Sequence, residues 1–377
     1  MKTFRSSLLV CLLAVCLTVL LCFGCQKPDA SQANSSSANA PTKVEETAVT
    51  FLAVGDIMLS RGVAMAIDRA NDPLMPFKRL APLFKSTDFN FGNLESPVSG
   101  NDRINGHNLT FNAHTKDLVG LTEYNFKVLN LANNHAFDQH LAGSQFTQKI
   151  LAERGITYLG VGDSLEQAWQ PKVFTINNLR IGFIGASYAS FNDGGVTRND
   201  YVARIEDHEY LKKAIEQLKS QSDFIIVTMH AGTEYQPSAD PRRALDRAQI
   251  DFAHAAVDYG ADLVIGAHPH WIQNLEQYNG KYIFYSLGNF IFDMRDPIAN
   301  QGLVLKITLK GQRTTNPSSS ATGPGAGFAT HIEQIECIPV MIENNSTPRL
   351  ATEAEAERIL KRVGLPQKVI GNAGQAK

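Results

Sequence analysis

Two histidines bracketing a proline, His268-Pro269-His270, close an apolar run that begins Asp262-Leu-Val-Ile-Gly-Ala. Neutral imidazole is the commonest protein ligand for metal ions, and Pro269 fixes a backbone torsion between the two rings. The pair therefore sits on a stiff turn and can serve two adjacent metals or two sides of one site. Taken alone it also fits two histidines satisfied on a loop. The arrangement recurs, however. Phe51–Gly55 runs into Asp56, Phe89–Asn93 into Leu94 and Glu95, Val128–Ala132 into Asn133, Asn134 and His135, and Phe224–Met229 into His230. Each run is short, apolar and bounded by turn residues, which predicts a buried β-strand. In α/β sheets ligands bind beyond the carboxyl ends of the strands. Five strands that deliver Asp, Glu, Asn/His, His and His-x-His to one edge form a constellation suited to a dinuclear metal site.

The rest of the chain must position those ends. Its 377 residues, 44% hydrophobic and 19% charged, are those of an ordinary globular protein of one large domain or two smaller ones. A net charge of −2 excludes the basic footprint of a nucleic-acid binder. Helices are expected near Val63–Asp68 and over Thr115–Glu123, Ala142–Arg154, His208–Ser220, Pro241–Tyr259 and Thr352–Val363. Asn177-Asn178 marks a hairpin between strands at 172–176 and 180–186. Parallel βαβ units mixed with hairpins predict an α/β protein whose sheets are covered by helices.

Both ends of the chain read differently from the middle. Lys2 and Arg5, the apolar run Leu8–Phe23 and then Gly24-Cys25 read as an export signal over residues 1–24. Gly24-Cys25 is lipobox-like, so Cys25 is the expected lipidation site of a membrane-anchored lipoprotein; an uncleaved signal anchor is the alternative. Either way the expected location is extracytoplasmic and at a membrane. Residues 25–50, rich in Ser, Ala, Asn and Pro, read as a flexible tether. Four of the five cysteines lie at or before position 25, leaving Cys337 as a buried small hydrophobe with no disulfide partner. Residues 311–328 read as a disordered insertion in a hairpin, and 344–377 as a C-terminal helix and tail.

The order Gly-Asp56, Asn93-Leu-Glu95, Asn133-Asn-His135, His230, Gly266-Ala-His-Pro-His270 and Tyr285-Ser-Leu-Gly-Asn-Phe290 resembles the CapA-type capsule (poly-γ-glutamate) synthesis proteins. That family is itself similar to the calcineurin-like metallophosphoesterases. The resemblance runs over roughly residues 50–343 and sets the domain expected at 51–343. It implies a four-layer α/β/β/α sandwich, metallophosphoesterase-like, with one or two divalent metal ions per chain. One metal would take Asn134, His230 and His268 with Glu95 bridging, and the other Asp56, Glu95 and His270. Mixed O/N donors suit Mn, Fe or Zn. His135 is the implied catalytic residue, as general acid or partner of a phosphate oxygen, with orientation of its neighbours as the alternative. Glu234 and Asn289 are the candidate substrate-binding residues, or else hold the ligands by hydrogen bonds; Tyr235 and Asp293 are in the same position. Arg61 pairs with a substrate anion or lies at the surface, and Trp169 and Trp271 pack. Two departures stand out: Asp56-Ile-Met58 lacks the histidine of the phosphoesterase Asp-x-His, and Glu95 replaces a bridging Asp. The implied role is synthesis, export or anchoring of an anionic surface polymer, with polymer-synthase membrane subunits as further partners. A non-catalytic, metal-stabilised subunit and a general phosphodiesterase or nucleotidase are the alternatives.

Overall fold

Phe51 and Leu52 are both fully buried, and so are Ala53 and Val54. Neighbours on a strand point to opposite faces, so this strand belongs to a sheet covered on both sides. The computed structural model describes residues 43–102, 109–188, 200–234, 245–315 and 327–370. Its strands are β1 (Lys43–Ile57), β2 (Phe89–Leu94), β3 (Phe126–Asn130), β4 (Thr157–Leu159), β5 (Lys172–Ile176), β6 (Leu179–Ser187), β7 (Phe224–His230), β8 (Leu263–Ala267), β9 (Leu275–Tyr278), β10 (Lys281–Phe284), β11 (Asn289–Ile291), β12 (Gln301–Thr315), β13 (Ala329–Glu343), β14 (Thr347–Leu350) and β15 (Lys368–Ile370). The helices are α1 (Arg61–Ala70), α2 (Ala81–Phe84), α3 (Val119–Glu123), α4 (His140–Glu153), α5 (Leu165–Ala168), α6 (His208–Gln221), α7 (Arg247–Tyr259) and α8 (Glu353–Val363).

Two sheets result. The first runs β14-β13-β12-β1-β2-β3-β4, with β11 beside β1 and β15 beside β13; the second runs β5-β6-β7-β8-β10-β9. Strands β1 to β4 pair in parallel, as do β6, β7, β8 and β10. Their carboxyl ends therefore share an edge within each sheet.

The apolar residues sort into three layers by the period of two. Phe51, Phe89, Phe91 and Val128 of the first sheet pack with Ile181, Phe183, Ile226 and Ile265 of the second, and the rings of Phe91 and Phe183 lie 5.8 Å apart. Leu52, Val54 and Leu129 point the other way, onto Val63 and Ile67 of α1, Leu121 of α3 and Leu151 of α4. Val227, Met229 and Val264 pack against α6 and α7 through Leu211, Ile215, Phe252 and Ala256. Each sheet thus carries helices on one face. The expected hairpin is present: Asn177 and Asn178 both have positive φ, 48° and 67°, the I′ geometry that suits a two-residue turn, and β5 pairs antiparallel with β6.

Three boundaries need correction. The tether expected over 25–50 is too long, because residues from Lys43 onward are strand and pair with Thr315–Leu305 of β12. Their charged, half-exposed side chains conceal a stretch held by backbone hydrogen bonds. The insertion expected over 311–328 is too wide for the same reason: β12 runs to Thr315 and β13 starts at Ala329, with 316–326 outside the described residues. The C-terminal part holds more than a helix, since β14 and β15 each pair with β13. The helix itself begins at a capping box, Thr352 with Glu355, and ends at Gly364 with φ 66°. Residues 371–377, the export-signal segment, Cys25 and Tyr235 lie outside the described residues. Among the described residues no helix is long and apolar enough to cross a membrane.

Candidate metal centre

Asp56 is the penultimate residue of β1, Glu95 follows β2, Asn134 and His135 follow β3, His230 closes β7, and His268 follows β8. Strand direction alone carries these groups to the carboxyl edges, and the facing of the two sheets brings them together. None of Asp56, Glu95, Asn134, His230, His268 and His270 is more than 4% exposed. His230 Nε2 lies 2.7 Å from Asn134 Oδ1 and 3.0 Å from His268 Nδ1, so the first implied ligand set converges on one point. The second is looser: His270 Nδ1 is 3.7 Å from Asp56 Oδ2 and His270 Nε2 is 3.9 Å from Glu95 Oε1. Asp56, Glu95 and His230 offer donor atoms that all lie within 4.8 Å of one another.

The backbone is bent to achieve this. His268 and His270, on either side of Pro269, have φ of 104° and 66°, a region that non-glycine residues enter at a cost. The His268 N–H donates to Asp56 Oδ2 at 3.3 Å, which ties the turn to β1. Gly55 permits the other close approach. Its neighbour Asp56 donates its N–H to Gly288 O at 3.1 Å, and a Cβ on Gly55 would fall 1.8 Å from that oxygen. This contact starts the parallel pairing of β1 with β11, in which Asp56 is opposite Asn289.

Burial sets the charge state. It pushes the Asp56 carboxyl up to about 7 and the Glu95 carboxyl well above the usual range, the latter with added repulsion from Asp56. It holds His230 and His268 well below the ordinary imidazole value, and His270 down to about 4. The Glu95 carboxyl has no hydrogen-bonding neighbour but the Asp56 carboxyl. Two buried carboxyl groups facing three imidazoles that resist protonation form a donor set that divalent metals fit.

Other expected residues take varied places. His135 accepts a backbone role from Asn133, whose Oδ1 receives the His135 N–H; its Nδ1 lies 2.6 Å from Asp138 Oδ2 and its Nε2 is 3.8 Å from Glu95 Oε1. Asn289 is fully buried: its Oδ1 accepts from His270 Nδ1 at 2.8 Å and its amide donates to Ala299 O. It therefore fixes the orientation of the His270 ring. Glu234 is part-exposed, its Oε1 3.5 Å from both His268 Nε2 and Asn134 Nδ2. Arg61 is buried, ion-paired with Asp293, with its guanidinium 4.6 Å over the Phe111 ring. Met58 is fully buried among the apolar residues under α1, its Sδ accepting from the Ser60 N–H at 3.1 Å. Trp169 and Trp271 are buried, as packing residues are.

Three contributors had no role assigned from sequence. Asn93 donates to Asp56 Oδ1 at 2.8 Å, sits 3.1 Å from His230 Nδ1, and accepts from Asn130, so one amide orients ligands from both sheets. Asp138 braces His135, and Phe111 stacks on the same ring at 3.8 Å and 18°. The signal for Asn93 was its place at a strand end; Asp138, three residues past His135, was visible only as a turn neighbour.

With this geometry in hand, comparison with known proteins is decisive. The profile of the bacterial capsule synthesis protein PGA_cap matches residues 50–294. The chain belongs to the PGA_cap family. It is 32% identical over 268 residues to the capsule biosynthesis protein CapA of Bacillus anthracis, covering 68% of this chain and 63% of that one. It thus spans less than two thirds of that relative's length. To the PGA biosynthesis protein CapA of Bacillus subtilis it is 29% identical over 296 residues, 78% of this chain and 73% of the relative. Among solved structures, a putative 5'-nucleotidase from Staphylococcus aureus superposes with a TM-score of 0.50 at 15% identity, over 84% of this chain and 58% of that one. That likeness is one of fold alone.

Proposed function

We propose that this chain is a metal-dependent hydrolase-like protein that acts on an anionic surface polymer, of the poly-γ-glutamate kind, during its synthesis, export or anchoring. The observation that carries the reading is the meeting of Asp56, Glu95, Asn134, His230, His268 and His270 in one buried cluster, where the Glu95 carboxyl has no hydrogen-bonding neighbour but the Asp56 carboxyl. Membership of PGA_cap and the names of the Bacillus relatives support the polymer. When bound, divalent cations supply Lewis acidity and a water acidified to near neutrality. The chain's own groups do the rest. His135, its Nδ1 fixed by Asp138, takes up or delivers a proton at Nε2, which faces the ligand cluster. Asn289 and Asn93 keep His270 and His230 turned toward the carboxylates. Glu234 borders the same cluster from its part-exposed side, where a substrate would enter. The leader-like segment ending in Gly24-Cys25 supports a lipid-anchored, extracytoplasmic protein, and Cys25→Ser is then expected to release it from membranes.

A second reading rests on Met58. The side chain at the phosphoesterase histidine's position is buried in the apolar core, which leaves the Asp56 side one donor short and favours a metal-stabilised, non-catalytic subunit. Metal analysis with a panel of phosphoesters, nucleotides and γ-glutamyl polymer separates the readings. Metal-dependent turnover of the polymer, lost in His268→Ala, is the expected result. Polymer binding without turnover moves the conclusion to the subunit, and turnover of nucleotides alone replaces it with a nucleotidase.

A further inference from the structure

Away from the centre, the short 3-10 turn Thr115–Leu118 carries a second group of donors. Asp117 is fully buried and neither carboxylate oxygen has a hydrogen-bond partner; His114 is 5% exposed and neither ring nitrogen has one. The turn itself explains their approach: the Asp117 N–H donates to His114 O at 3.0 Å, and side chains three apart on such a turn eclipse. His114 Nδ1 then lies 3.7 Å from Asp117 Oδ2 and 3.9 Å from Asp68 Oδ1 on α1.

Buried polar groups are almost always paired, so four orphaned atoms on two adjacent side chains ask for an occupant. A direct proton bridge does not serve, because 3.7 Å exceeds hydrogen-bond length. Bonds of about 2.1 Å at near-tetrahedral angles place two ligand atoms roughly 3.5 Å apart, close to what is seen. Burial also pushes the Asp117 carboxyl up to about 7.

We propose that His114 and Asp117, with Asp68 closing the outer side, bind a divalent transition cation of the Zn2+ or Mn2+ class, separate from the centre. The three donors are less tightly grouped than Asp56, Glu95 and His230, and Asp68 is already ion-paired with Lys116. Affinity therefore rests on His114 and Asp117, and Asp68 joins by turning inward. The cation ties the turn and α1 to the segment that carries Phe111. That ring stacks on His135 and lies under Arg61, the first residue of α1, so the joint holds the imidazole of the centre in place.

The test is zinc stoichiometry of the full chain by elemental analysis at micromolar free metal, in the wild type and in a His230→Ala/His268→Ala background that disables the centre. His114→Gln and Asp117→Asn are each expected to remove one equivalent in both backgrounds, whether or not the centre proves catalytic. Unchanged stoichiometry in both variants means that water or a proton fills the space, and overturns the proposal. Should either variant fail to fold, anomalous diffraction from zinc-soaked wild-type crystals decides: a peak between His114 and Asp117 supports the site, and its absence overturns it.

Discussion

Asp56→Asn isolates the electrostatic strain at the centre. In chelated protein the folded Asp56 carboxyl titrates at about 7, against an ordinary 3.8 that the unfolded chain adopts. Between those values the folded state holds a proton that the unfolded state has lost, so this group's contribution to stability is present below pH 3.8 and is lost as pH rises toward 7. At about 1.36 kcal/mol per pH unit the loss is roughly 4 kcal/mol. His270 opposes it. Its folded value of about 4 lies below the ordinary 6.5, so the unfolded chain holds the extra proton and stability rises over pH 4 to 6.5, by roughly 3 kcal/mol on the same conversion. The wild-type profile sums these with other buried groups, whose shifts run both ways. Subtracting it from that of Asp56→Asn cancels the histidines, and the chelated variant is expected to gain several kcal/mol on the wild type between pH 4 and 7. Urea denaturation at several pH values, with and without excess Mn2+, measures this. With metal the sign reverses, because the cation stabilises the wild-type carboxylate and lacks that ligand in the variant. A chelated difference that is flat or falls with pH would refute the claim that Asp56 is a strained, cation-seeking carboxylate.

Three further outcomes are expected. His268→Ala and His230→Ala each lose tightly bound metal, because each contributes a donor to the tight Asn134 cluster; full occupancy in both by elemental analysis would remove that ligand assignment. Asp138→Asn keeps its metal and slows turnover of whichever substrate the panel identifies by about 10- to 100-fold, while an unchanged kcat would leave His135 without need of its brace. Gly55→Ala costs about 3 kcal/mol in urea denaturation, since its Cβ would collide with the carbonyl oxygen of Gly288; a cost under about 1 kcal/mol would mean that the β1–β11 contact yields easily.

Much of the centre is legible in the sequence because it is built from strand ends, where an apolar run and its terminal donor are contiguous. What stayed hidden depends on side chains that reach across the fold. Asn93 looks like one more turn residue until Asp56 and His230 arrive on either side of it. Asn289 reads as a loop amide until the register of β1 with β11 sets it beside His270. Met58, two residues past Asp56, is likewise placed only by the fold, its sulfur engaged by the Ser60 N–H in the apolar core. The early start of β1 at Lys43 is hidden in the sequence because its pairing is made by backbone groups, to which Glu45, Glu46 and Thr47 give no apolar signature.

The place of β1 in its sheet bears on how the molecule is completed in time. Asp56 rides on a strand whose neighbour on one side, β2, is made within fifty residues, while the neighbour on the other side, β12, arrives some two hundred and fifty residues later. Until residue 315 is available, the flank of Lys43–Ala53 exposes unpaired backbone groups, a template for sticking to other chains. A fragment cut where the family profile stops, at residue 294, would carry every expected metal ligand and still leave that flank open. Expression of such a fragment is therefore expected to yield aggregates, and the stretch from 301 to 350 to act as an internal chaperone for the strand that bears the first ligand.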